Sequence, residues 1–151
     1  MMNAEQKLAV LQNTYAAVLA ETVNTYAKLK ALESVVAQKK ARQAQTAPII
    51  NKQLGIDTVD DVFTMLAGTF GCANWTVEKT ADGYAATATV CKLCALSKKM
   101  GGANPCHGWC LDPMAAMIGA VSEGRIGEEQ FIVESTLMDG DSCRVLIKAS
   151  N

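Results

Sequence analysis

From Ala4 to Gln43 the chain carries no Pro or Gly, and Leu8, Leu11, Tyr15, Val18, Thr22, Tyr26, Leu29, Leu32 and Val36 recur three and four residues apart. That period is the stripe of an amphipathic helix. One helix of this length would far exceed the mean of roughly a dozen residues. The pattern therefore predicts either a break near Lys28 to Glu33, with the chain folding back, or a projecting helix that pairs with a second copy. Short helix–helix connections are common in small domains, which makes the break the first expectation.

Pro48 is expected to stop this helical region. "GIDTVDDVFTMLAGTFG" then reads as a shorter helix, with Asp57 or Thr58 as N-cap and Asp60 and Asp61 in its first turn. From Ala73 the period changes to that of strands. Asn74 to Lys79 and Tyr84 to Val90 flank Asp82-Gly83, a turn dipeptide that closes hairpins. A second hairpin is expected from Gln130 to Met138 and Ser142 to Ala149 around Asp139-Gly140. Between the hairpins, "DPMAAMIGAVSEG" reads as a helix with Asp112 as N-cap and Pro113 at the first helical position. The order predicts an α+β fold, an antiparallel sheet of two hairpins with helices on one side. It is expected to form a single domain over residues 1–151, with 1–47 as its helical N-terminal region.

The 151 residues are enough for one hydrophobic core. Fourteen Lys and Arg against fifteen Asp and Glu give a formal net charge of -1, so the total implies no basic face, and nucleic acid is a poor expectation for a partner. Lys39, Lys40 and Arg42 form a local basic run that reads as a solvated helix end. Polar residues interrupt every N-terminal apolar run, so neither a secretory signal nor a membrane span is expected. A reducing cytoplasmic setting follows, in which a cysteine cluster points to metal binding or catalysis before disulfides.

That cluster is "CKLCALSKKMGGANPCHGWC", residues 91–110. Cys91 and Cys94 form CxxC, and Cys106 and Cys110 form CxxxC. Two close pairs of thiolates can complete a shell for zinc or an iron–sulfur cluster. Gly101 and Gly102 allow a tight reversal between the pairs, and Lys98 and Lys99 could offset thiolate charge. The same residues also suit buried inert thiols or reactive ones. A CxxC at a helix N-terminus after a strand would favour thiol redox chemistry, and Cys91 follows a predicted strand. His107 is expected to pair with Cys94, Cys110 or Cys143 rather than with adjacent Cys106. Trp109 either walls a pocket or plugs the core. Glu134 and Cys143 lie on the two arms of the second hairpin, near Asp139 and Asp141.

"ESTLMDGDSCRVLI", preceded by the cysteine-rich segment, resembles the tail of the L-2-amino-thiazoline-4-carboxylic acid hydrolase-like family, and "LAETVNTYAKLKAL" is similar as well. More distantly the chain resembles the 4-vinyl-reductase-like ligand-binding domain. The first resemblance implies a small cytoplasmic hydrolase acting on carbon–nitrogen bonds other than peptide bonds. A cysteine thiolate or metal-bound hydroxide would open a cyclic amidine, with His107, Glu134 and Cys143 as the catalytic candidates. The second implies a small-molecule-binding or sensor domain, often dimeric, here through the N-terminal helices. Its zinc-binding members tend to carry cysteine where this chain has Leu137. The metal candidates remain Cys91, Cys94, Cys106 and Cys110.

Overall fold

The computed structural model describes residues 1–149 and shows an α+β fold. Among the described residues six α-helical segments run α1 Ala4–Lys28, α2 Leu32–Leu54, α3 Val59–Phe70, α4 Lys92–Met100, α5 Cys106–Trp109 and α6 Leu111–Val121, with a 3-10 turn at Glu128–Gln130. The strands are β1 Thr76–Thr80, β2 Gly83–Ala88, β3 Phe131–Ser135 and β4 Cys143–Lys148. They form one antiparallel sheet in the order β1-β2-β4-β3. Each hairpin is local, and the two join through β2 and β4 from Gly83↔Lys148 to Ala88↔Cys143. Gly83 is required there, because a Cβ would lie 1.9 Å from the Ile147 carbonyl oxygen. On β4, Cys143, Val145 and Ile147 alternate inward with Arg144 and Lys148 outward, so one face of the sheet meets the core.

The long helical stretch does break, at Leu29–Ala31, where Lys30 turns left-handed with φ 58°. The two helices do not then pair along their lengths. α1 packs chiefly on α4, and α2 chiefly on α6. The buried stripe of α1 also differs from the expected one. Ala16, Ala20, Val23 and Asn24 are buried, whereas Leu8, Leu11, Val18 and Leu29 are exposed. Small residues let the α1 and α4 backbones approach closely, which the larger side chains would prevent.

Pro48 does not end its helix. α2 runs six residues beyond it to Leu54, anchored by buried Ala47 and by Asn51, whose amide donates to the Met117 carbonyl at 3.0 Å. These contacts with α6 offset the backbone hydrogen bond that proline removes. Lys39, Lys40 and Arg42 consequently sit mid-helix rather than at an end. α3 is capped by Thr58 in a reciprocal box with Asp61. α6 starts at Leu111, not after Asp112, and Asp112 turns back to bind the preceding loop. The core gathers Phe63 and Val62 of α3, Met114 and Ile118 of α6, and Val145 and Ile147 of β4. None of the helices is long and apolar enough to cross a membrane among the described residues.

Candidate functional site: a thiol cluster beside an apolar cavity

All six cysteines carry free thiols, and they gather at one end of the sheet. Cys143 begins β4 opposite Ala88, the last residue of β2. Three residues later Cys91 bridges to Ala73, and the Cys72 carbonyl accepts from the Lys92 amide at 2.7 Å. Cys91 is extended, with φ -142° and ψ 114°, and is the N-cap of α4. Its sulfur accepts from the Cys94 amide at 3.4 Å. Cys94 lies one turn into α4, and its sulfur is 3.9 Å from that of Cys106. Cys94 and Cys106 are buried, whereas Cys91 retains accessible surface.

A hydrogen-bond network around Asn24 sets the Cys94–Cys106 approach. Asn24, 5% exposed, donates to the Ala20 carbonyl at 2.7 Å and the Ser97 hydroxyl at 3.0 Å, and accepts from the Ala103 amide at 3.0 Å. Ser97 in turn donates to the Ala103 carbonyl. Residues 101–105 are thus tied to α1 and α4. At Gly101 any Cβ would press against Asn24 Oδ1 at 2.7 Å. The Asn104 side chain then accepts from the Cys106 amide at 2.8 Å. The next turn is not regular helix: His107 is extended with ψ 140°, and Gly108 has φ 86°. Asp112 holds it by accepting from the Gly108 amide at 2.8 Å, and Gln43 of α2 donates to the Gly108 carbonyl at 2.7 Å.

The thiols differ in acidity because their neighbours differ. The Cys94 thiol, donating to Cys91, lowers Cys91 to about 6 against the opposing effect of burial, with the Cys94 and Leu93 amides adding to it. Cys94 moves the other way, raised by its hydrogen bonds to Cys106 and Cys91 and by burial. Cys106 is lowered, first by the Cys94 thiol. Burial pushes Cys72 up to about 11 and Cys143 up to about 12. Cys110 is raised well above the ordinary value, by burial first and then by Cys91, Cys106, Cys143 and Cys72. The cluster therefore contains two thiols of lowered pKa, Cys91 at a helix start and Cys106, with the less acidic Cys94 one turn inside α4.

The other candidates lie apart from it. His107 is exposed, and its Nδ1 is 3.1 Å from Asp112 Oδ1, so it meets a carboxylate rather than a cysteine. Glu134 is exposed and accepts from Arg144 at 2.8 Å. Arg144 and Cys143 are consecutive strand residues, so Glu134 is paired on the face opposite Cys143. Lys98 donates to the Leu137 carbonyl at 2.6 Å. Among the described residues no group of three His, Cys, Asp or Glu side chains is arranged to hold a metal ion.

Next to the thiols, a cavity of about 260 Å³ opens between α1, α2, α3 and α6. Trp109 is part of its wall, together with Tyr15, Phe70, Trp75 and Met114, and both Cys72 and Cys110 border it. Tyr26 stacks on Trp109 with centroids 6.3 Å apart, and the Lys39 ammonium lies 5.0 Å from the Trp109 ring centroid. The sequence pattern singled out Trp109, read Lys39 only as part of a solvated basic run, and passed over Asn24. A polar residue within the apolar face of α1 was the available signal for Asn24.

The fold and site define an α+β domain with a thiol-rich sheet end and an adjoining apolar cavity. No family model matches the chain, and no curated protein or solved structure matches it.

Proposed function

We propose that this domain is a thiol–disulfide redox protein using Cys91 and Cys94. One observation carries the reading: Cys91, three residues after the end of β2, caps α4, with the Cys94 amide directed at its sulfur at 3.4 Å. A helix N-terminus stabilises a thiolate and so supplies a nucleophile near neutral pH. Cys91 is also the accessible member of the pair, and Cys94 is buried.

The Cys91 thiolate attacks one sulfur of a partner disulfide, forming a mixed disulfide and expelling the partner's other sulfur as a thiolate. Cys106, in the thiolate form its lowered pKa favours, accepts the Cys94 proton across their 3.9 Å contact and passes it to the expelled partner thiolate. The Cys94 thiolate then attacks the Cys91 sulfur, forms the Cys91–Cys94 disulfide and releases the partner's second sulfur. Two electrons pass to the partner, and its two thiolates take up two protons. The surroundings of His107 and Glu134, each paired with another side chain, support this reading over amidine hydrolysis. The exposed Leu8, Leu11 and Val18 of α1 support a homodimer as its working form.

A second reading has its own supporting distance. Tetrahedral zinc with sulfur ligands at about 2.3 Å sets sulfurs about 3.8 Å apart, close to the 3.9 Å between Cys94 and Cys106. Cys91 and Cys110 would have to swing inward to complete that shell. Equilibration of the protein, purified anaerobically, with glutathione buffers tests both readings when combined with metal analysis. The redox reading expects a metal-free protein that gains one internal disulfide at a defined potential. Stoichiometric zinc or iron, with thiols that resist oxidation until a chelator is added, contradicts it and favours the metal.

A further inference from the structure

We infer that the cavity between α1, α2, α3 and α6 is a binding site for a small molecule with an aromatic or apolar body and a carboxylate head, which Lys39 recognises. This goes beyond thiol exchange and does not depend on it. The walls suit such a body. Tyr15, Phe70, Trp75 and Trp109 provide ring faces, and Met114 and Met117 provide adaptable apolar surface. At about 260 Å³ the space lies below the roughly 300 Å³ at which drug-sized sites begin, so a single-ring ligand is the appropriate scale.

Charge selects the head group. Lys39 lines this cavity with its ammonium over Trp109, and no carboxylate among the described residues pairs with it. Its neighbour Lys40 does have one, in Glu128. Burial and then Arg42 lower the Lys39 pKa, the condition of a partly desolvated cation without an anion beside it. A carboxylate entering the cavity would supply that anion. An ammonium ligand would meet like charge there.

The cavity lends itself to a direct readout, since Trp75 and Trp109 are the chain's two tryptophans and both line it. Titration with 3-phenylpropionate and with 3-phenylpropan-1-ol, which share one apolar body, separates the head group from the ring. The inference expects saturable changes in tryptophan fluorescence, with the acid binding roughly tenfold tighter than the alcohol. Lys39→Met should bring the acid down to the alcohol's affinity and leave the alcohol within about twofold of its original value. The wild-type comparison stands without the variant should the variant fold poorly. Saturation by neither probe, equal affinity for both, or an unchanged preference in Lys39→Met overturns the inference. Loss of thiol exchange in Cys91→Ser leaves these titrations unaffected, so the two proposals fail separately.

Discussion

The Cys94 and Cys106 sulfurs lie 3.9 Å apart although they are twelve positions apart in the chain, because residues 101–105 fold back onto α4. Cys91, at the start of the same helix, completes a line of thiols running from accessible surface into the core. Their acidities alternate: Cys91 and Cys106 are lowered, and Cys94 is raised.

The pH dependence of Cys91 alkylation follows from its environment. Its thiolate is favoured in the folded chain, so reactivity rises as pH rises through about 6 and is flat by neutral pH. An ordinary thiol, with pKa near 8.5, would still be gaining reactivity there. Iodoacetamide rates read by mass spectrometry across pH check this, with urea-unfolded protein as the reference. A midpoint near that of the unfolded chain would refute the acidity assigned to Cys91.

Cys94→Ser should trap the mixed disulfide. With oxidised glutathione, the variant accumulates an adduct at Cys91 that persists, whereas the unsubstituted chain resolves it into an internal disulfide. Cys106→Ser should still resolve the adduct, but more slowly, since Cys94 loses the sulfur that takes its proton. Equal resolution rates in Cys106→Ser and wild type would remove Cys106 from the mechanism.

Asn24→Leu tests how the site is held together. The substitution strips partners from Ser97 and the Ala103 amide, both part of a buried network, and should cost about 1–3 kcal/mol in urea unfolding. It should also slow disulfide formation, because residues 101–105 position Cys106, which follows them. A variant as stable as wild type would show that the network contributes little.

His107 and Asp112 should separate cleanly. His107 is exposed and its ring pairs with Asp112, so His107→Ala should leave stability within about 0.5 kcal/mol and thiol exchange unchanged. Asp112→Ala removes the acceptor of the Gly108 amide and should destabilise by about 1 kcal/mol or more. A large loss of exchange in His107→Ala would restore the histidine as a catalytic group.

Local signals made the sheet legible. Asp82-Gly83 and Asp139-Gly140 place both turns, and period-two runs place all four strands to within a few residues. The break after Lys28 was legible as well, since uninterrupted helices of that length are rare. What stayed hidden depends on contacts between distant segments. Pro48 sits inside α2 because Asn51 and Ala47 anchor the next turn on α6, and that packing has no local signature. Large apolar residues marked one face of α1, but Ala16 and Ala20 make the close contact. The cysteine stretch identified the candidate chemistry without its geometry. Only the fold shows Cys91 as an N-cap, Cys94 beside Cys106, and His107 turned to Asp112.

Tryptic mapping of the oxidised protein tests the redox reading most directly, because cleavage sites separate the critical thiols. Lys92 divides Cys91 from Cys94, and Lys98 and Lys99 divide Cys94 from Cys106. After mild oxidation by glutathione, the redox reading predicts peptide 80–92 joined to peptide 93–98 through Cys91 and Cys94. Peptide 93–98 joined instead to the peptide carrying Cys106, or six thiols still free in folded protein, would contradict it.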